Sequence, residues 1–134
     1  TGLGQPVTLL IGDLTFLHDL NSLALLNRSP QPISVVVLNN NGGGIFQHLP
    51  VAGVPDVFEK YFVTPHGLNF AHAARMFDLP YCRVEDMAAF TEAFDLSQQS
   101  ESSSIIEITL DRKQGLSFHQ SVQNKIVAAL EGLI

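Results

Sequence analysis

One cysteine, Cys82, in 134 residues excludes an internal disulfide framework and a cysteine-rich zinc site. It fits a reducing cytoplasm, the compartment expected for this chain. Cations are also few. Lys and Arg total 7 against 13 Asp and Glu, for a net charge of -6, which argues against a binder of nucleic-acid phosphates. No apolar run approaches the ~18 residues of a membrane span. The first residues also lack the basic, apolar, small-residue order of a secretory leader. Thr1-Gly2-Leu3-Gly4 has no initiator Met and runs at once into an apolar segment, as expected of a piece cut from a longer protein. What is present is an apolar fraction of 46%, enough for a packed core, in a length that suits one domain over residues 1–134.

Periodicity organises the rest. Val7 to Gly12 is a short continuous apolar run, the pattern of a strand buried on both faces. From Thr15 the spacing turns helical, with Phe16, Leu17, Leu20, Leu23, Ala24 and Asn27 three or four apart, until Pro30 and Pro32. Ile33 to Leu38 is β-branched and predicts a second buried strand, so the order strand, helix, strand implies a parallel βαβ unit. A long stretch rich in Gly and Pro follows to about Leu68, with a helical turn expected near Val57 to Tyr61. Further helices are predicted over Asn69 to Phe77, with Asn69 as N-cap, and over Glu85 to Phe94, with Met87, Phe90 and Phe94 on one face. A short strand is expected at Pro80 to Val84 and another at Ile105 to Leu110. Ser97 to Ser104 reads as a polar surface loop, and Ser117 to Leu133 as a last helix with Val122, Ile126, Val127 and Leu130 inward. The alternation predicts an α/β fold, a three-layer α/β/α sandwich with a mainly parallel sheet.

Chemistry concentrates at two strand ends. The first strand ends in Gly12-Asp13, and the second in Asn39-Asn40-Asn41-Gly42-Gly43-Gly44. Ligands of open parallel sheets sit outside the carboxyl ends of strands. Asp13 supplies a carboxylate and Asn40 an amide oxygen, and the glycines let a main-chain carbonyl turn inward. Such hard oxygens suit Mg²⁺, which completes its octahedron with phosphate and water. Main-chain N–H groups near Leu14 and Thr15, with the Thr15 hydroxyl, would meet the phosphates. Alone, each half is ordinary turn chemistry. Paired across one βαβ unit, they point to a site. His48 lies near it, whereas His66, His72 and His119 have no metal-site spacing, and Cys82 reads as a small buried hydrophobe.

Gly12-Asp13 followed by Asn39-Asn40 resembles the fingerprint of the thiamine-diphosphate enzymes, which begins Gly-Asp-Gly and ends in two asparagines. The resemblance implies that Asp13, Asn40 and the Gly42 main-chain oxygen hold Mg²⁺. Leu14 stands where that fingerprint usually has its second glycine. The runs from Gly12 to Asn21, from Asn39 to Phe46 and from Thr64 to Ala74 are similar to a narrower group, the synthases of menaquinone biosynthesis. This implies that the thiazolium carbon of thiamine diphosphate attacks the keto carbon of 2-oxoglutarate and carbon dioxide leaves. The carbanion then adds to isochorismate. It also implies a cofactor site formed by Gly12, Asp13, Leu14, Thr15, Asn40, Gly42 and Gly43, with Ile45, Phe46 and Leu49 lining the cavity. In that family the activating glutamate lies on an amino-terminal pyrimidine-binding domain of a second subunit, and several substrate arginines lie upstream. No catalytic residue is therefore expected in this chain, which alone should be inactive and, in the full enzyme, part of a homodimer or homotetramer. The same fold also serves other 2-oxo-acid decarboxylases and acetohydroxyacid synthases. A non-catalytic α/β domain for subunit contact is the alternative from another class.

Overall fold

The computed structural model describes residues 4–132. Thr1 to Leu3 and the predicted helix end at Leu133 lie outside them. The 4-stranded sheet has the order β1-β2-β4-β3, formed by β1 (Val7–Gly12), β2 (Ile33–Asn39), β3 (Tyr81–Val84) and β4 (Ser104–Thr109). Each pairing is parallel, with Val7 opposite Ile33, Val35 opposite Ile105, and Cys82 opposite Ile106. Side chains alternate across a strand, so Val35, Val37 and Ile105 share one face and Ser34, Val36, Ser104 and Ile106 the other. On the first face Val35, Val37 and Ile105 pack with Phe16 of α1 (Asp13–His18), Leu23, Ala74 of α3 (Ala71–Met76) and Leu79, while α2 (Pro55–Phe58) falls in the Gly- and Pro-rich stretch between these helices. On the second face Ser34 donates to Ser97 of α4 (Met87–Gln99) at 3.0 Å. The three-layer expectation is met.

Four local expectations change. β1 is not buried on both faces: Leu9 is 44% and Leu10 64% exposed, because β1 is an edge of this sheet. The helix expected from Thr15 breaks at Asp19 (φ -111°, ψ 32°) and continues as a 3₁₀ stretch over Leu20–Arg28. There the Asp19 carboxylate accepts the Ser22 hydroxyl at 2.6 Å, the local competition that makes Asp and Ser poor mid-helix residues. Phe16 and Leu23 are nonetheless both buried. Ser97 to Ser104 is not all surface loop. α4 runs on to Gln99, β4 starts at Ser104, and Ser97, Ser103 and Ser104 are buried. Ser97 donates to the Phe94 carbonyl at 2.7 Å, and Ser103 accepts from the Ile33 N–H at 3.0 Å. Ser97 and Ser103 are tolerated inside because they are so paired, whereas the buried Ser104 Oγ has no partner among the described residues. Finally, α5 (Arg112–Glu131) starts earlier than Ser117, and Val122, Ile126, Val127 and Leu130 are 38 to 56% exposed rather than inward. Periodicity marks a face for burial without saying against what.

Asp111 explains the early start of α5. Its carboxylate accepts the N–H groups of Lys113 and Gln114 at 2.7 and 2.9 Å, and these bonds hold its pKa below the usual carboxylate value. A depressed folded-state pKa means that the cap's contribution is complete above the unfolded value of about 3.9 and is lost as pH falls through the lower folded value. Asp111→Asn is expected to cap as well at neutral pH without this acid step. Hydrogen exchange of the Lys113 and Gln114 amides against pH checks it.

Candidate functional site

β1 and β2 lie side by side with Gly12 opposite Leu38, so Asp13 and Asn39-Asn40 lie together at the carboxyl end of the parallel strands. Asp13 is 3% exposed. Its Oδ1 accepts the Leu14 N–H at 2.7 Å, and its Oδ2 accepts the Gly42 N–H at 2.9 Å. His66 Nε2 lies 3.1 Å from the same Oδ2. One carboxylate thereby ties the first strand end to the second.

The three asparagines divide the work. Asn39 Nδ2 donates to the Leu68 carbonyl at 2.9 Å and to Glu107 Oε1 at 2.7 Å, and Asn39 Oδ1 accepts the Asn41 N–H at 3.0 Å. Asn41, at φ 63°, turns its Oδ1 to the N–H groups of His66 and Gly67 at 3.1 and 2.7 Å. Asn40 Oδ1 is buried and has no hydrogen-bond partner among the described residues. Leaving such an acceptor unmade costs ~1–3 kcal/mol, which calls for a ligand or an ordered solvent molecule. The glycines make the space. A Cβ on Gly42 (φ 119°) would fall 2.2 Å from the Val63 carbonyl oxygen, and one on Gly44 2.5 Å from Asn40 Nδ2. Gly42 O accepts the Gly44 N–H at 2.8 Å, which leaves this carbonyl a second lone pair.

The buried Asp13 carboxylate, the unpartnered Asn40 oxygen and the Gly42 carbonyl fit a hard divalent cation, since all are oxygen donors. Among the described residues no cluster of three or more His, Cys, Asp and Glu is placed to hold a metal. Leu14 departs from expectation in one respect: its N–H is engaged by Asp13 Oδ1. Thr15 is exposed on the first turn of α1, where main-chain N–H groups lack intrahelical partners. Gly12 is exposed at the end of β1, and Gly43 donates its N–H to Val63 O at 2.8 Å. Ile45 is 76% and Leu49 46% exposed, while Phe46 is half-buried edge-on against Phe62 at 5.8 Å. Ile45 and His48 line a cleft of about 220 Å³ with Asn40, Arg112 and His119, the two imidazole centroids 4.6 Å apart.

Sequence reasoning missed two residues. His66 is 53 positions from Asp13, and only the fold brings them together. Glu107 is 1% exposed and receives Asn39 Nδ2, the Phe70 N–H and the Tyr81 hydroxyl at 2.7, 2.8 and 2.8 Å. Burial and the adjacent Glu107 carboxylate push the Tyr81 hydroxyl pKa well above its ordinary value. The available signal was a lone acid in the apolar run Ile105 to Ile108, which a core accepts only when it is hydrogen-bonded.

A family model described as thiamine pyrophosphate enzyme, C-terminal TPP binding domain, matches residues 2–108. The chain belongs to this family. Among its relatives is a 2-succinyl-5-enolpyruvyl-6-hydroxy-3-cyclohexene-1-carboxylate synthase of Prosthecochloris aestuarii. It is 46% identical over 131 residues, which are 98% of this chain and 23% of the relative. A synthase of the same name from Rubrobacter xylanophilus is 49% identical over 121 residues, 90% of this chain and 21% of the relative. The chain thus spans less than a quarter of the length of these relatives. A solved benzoylformate decarboxylase from Polynucleobacter necessarius superposes with a TM-score of 0.71 at 20% identity, over 83% of this chain and 20% of that one. The thiamine diphosphate-dependent 4-hydroxybenzoylformate decarboxylase of Rhodococcus jostii RHA1 gives 0.64 at 22% identity, over 79% and 20%. These two likenesses are of fold. In this thiamine pyrophosphate enzyme domain no helix of the described residues is long and apolar enough to cross a membrane.

Proposed function

We propose that this chain is the diphosphate- and Mg²⁺-binding domain, over residues 1–134, of a synthase that decarboxylates 2-oxoglutarate and adds the succinyl unit to isochorismate in menaquinone biosynthesis. The substrate reading is supported by the identity to the synthases over nearly the whole chain. The metal reading rests on one observation above all, the buried Asn40 oxygen without a partner among the described residues, at the strand end that the Asp13 carboxylate ties to the first. Asp13 Oδ1, Asn40 Oδ1 and the Gly42 carbonyl hold the cation. Thr15 steadies the diphosphate through its hydroxyl and main-chain N–H, next to Leu14, whose own N–H is held by Asp13, with Gly12 and Gly43 shaping the turns beside it. When bound, thiamine diphosphate supplies the carbon nucleophile and the electron sink for decarboxylating a 2-oxo acid. With a partner domain seated over them, Ile45, Phe46 and Leu49 would form an apolar wall that excludes water from the reacting carbon and orients the substrates.

The site is completed by a pyrimidine-binding domain of a second subunit in a cytoplasmic homodimer or homotetramer. The exposed apolar residues of β1 and α5 support this, because the edge of a parallel sheet and an apolar helix stripe are ordinarily covered. The test uses the full-length protein carrying this chain, with Mg²⁺ and thiamine diphosphate. Carbon dioxide release is followed from 2-oxoglutarate with and without isochorismate, with pyruvate alongside. Turnover that requires 2-oxoglutarate and yields the coupled product supports the reading. Activity on pyruvate alone moves the protein to a sister enzyme with the same metal site. The chain by itself is expected to be silent.

A further inference from the structure

We propose that His66 is a positioning residue for the metal carboxylate, holding Asp13 so that Oδ1, not Oδ2, presents a free lone pair to the cation. This rests on the reading of Asp13 and Asn40 as ligands. Each carboxylate oxygen has two in-plane lone pairs. On Oδ2 both are taken, by the Gly42 N–H at 2.9 Å and by His66 Nε2 at 3.1 Å. Oδ1 accepts only the Leu14 N–H, at 2.7 Å, among the described residues. The ring's tautomer follows from its other side. The Leu68 N–H donates to His66 Nδ1 at 3.0 Å, so Nδ1 carries the lone pair, Nε2 carries the proton, and Nε2 is the donor to Asp13.

The imidazole is also locked in place. Its side chain is 8% exposed, and its centroid lies 6.1 Å from that of Phe70. Asn41 Oδ1 holds the main chain at His66 and Gly67, and Asn39 Nδ2 holds the Leu68 carbonyl. The asparagines flanking Asn40 therefore fasten the segment that carries His66 to the strand end that carries Asn40. A carboxylate fixed in this way meets the cation without losing rotamer freedom, and such supporting bonds set metal affinity.

The experiment is calorimetric titration of Mg²⁺ into the full-length protein at saturating thiamine diphosphate, alongside the melting temperature without cofactor. Two variants separate donation from packing. His66→Met keeps apolar bulk and donates nothing, while the amide of His66→Gln can occupy the donor position of Nε2. Expected are a loss of Mg²⁺ affinity of about 10–100-fold for Met and a loss within about threefold for Gln, with kcat at saturating Mg²⁺ changing less than affinity in both. A Met variant with wild-type affinity overturns the proposal, whatever its melting temperature. So does a Gln variant as weak as Met, because ring packing would then be the cause. A wild-type protein that does not bind Mg²⁺ at all overturns the ligand reading beneath it and the proposal with it.

Discussion

Asp13→Ala is expected to weaken Mg²⁺-dependent binding of thiamine diphosphate by more than about 100-fold, since loss of a mere supporting partner already costs about 10–100-fold. Two effects combine. The cation loses its only carboxylate among the donors assembled at the strand ends. The Gly42 and Leu14 N–H groups also lose their acceptor, so the turn that presents the Gly42 carbonyl is no longer tied to β1. Asp13→Asn separates the two. It keeps volume and one acceptor oxygen, but it places an NH₂ opposite either the Leu14 donor or the Gly42 and His66 donors. Asn is therefore expected to lie nearer Ala than wild type in affinity. Calorimetric titration of the cofactor at several Mg²⁺ concentrations measures both. An Asp13→Ala protein that bound the cofactor with unchanged Mg²⁺ dependence would remove the metal site and favour a domain used for subunit contact.

Glu107→Ala should be strongly destabilising, by about 2–4 kcal/mol, because a buried donor left unpaired costs ~1–3 kcal/mol and the part-buried Tyr81 hydroxyl, which solvent can reach, costs less. The Phe70 N–H and the Tyr81 hydroxyl are orphaned, whereas Asn39 Nδ2 keeps the Leu68 carbonyl. Glu107→Gln is expected to cost about half as much, since its amide retains one acceptor and sets one donor against another. Urea unfolding of the full-length protein gives both values. A loss below about 1 kcal/mol for Ala would mean that solvent replaces the carboxylate and that the network is not a structural anchor. Because Asn39 connects Glu107 to the segment carrying His66, the Ala variant should also bind Mg²⁺ more weakly.

Much of this was legible in the sequence because it depends on local pattern. Continuous apolar runs predicted β1 and β2, and their parallel pairing followed from the intervening helical spacing. The candidate metal residues could be paired for a related reason. Asp13 and Asn40 sit at strand ends, and strands that flank one crossover lie side by side, so two sequence positions could be placed together before any packing was known. Where local pattern was the wrong guide, a neighbour decided. Val7 to Gly12 is mostly apolar, yet exposure in β1 is set by its place at the sheet edge. Ser97 and Ser103 look solvent-loving, yet their hydroxyls bond to Ser34, Phe94, Leu26 and Ile33.

By itself, then, the sequence determined the alternation of strands and helices, the two polar strand ends and the oxygen character of the donor set, because these follow from residue type and short spacing. Only the tertiary structure decided which oxygen of Asp13 accepts a single hydrogen bond among the described residues, which of three successive asparagines has an oxygen without a partner among them, and that His66 and Glu107 bond to Asp13 and Asn39. Those outcomes depend on hydrogen bonds between groups 25 to 68 residues apart, and saturating a lone pair requires a partner whose position the whole fold sets.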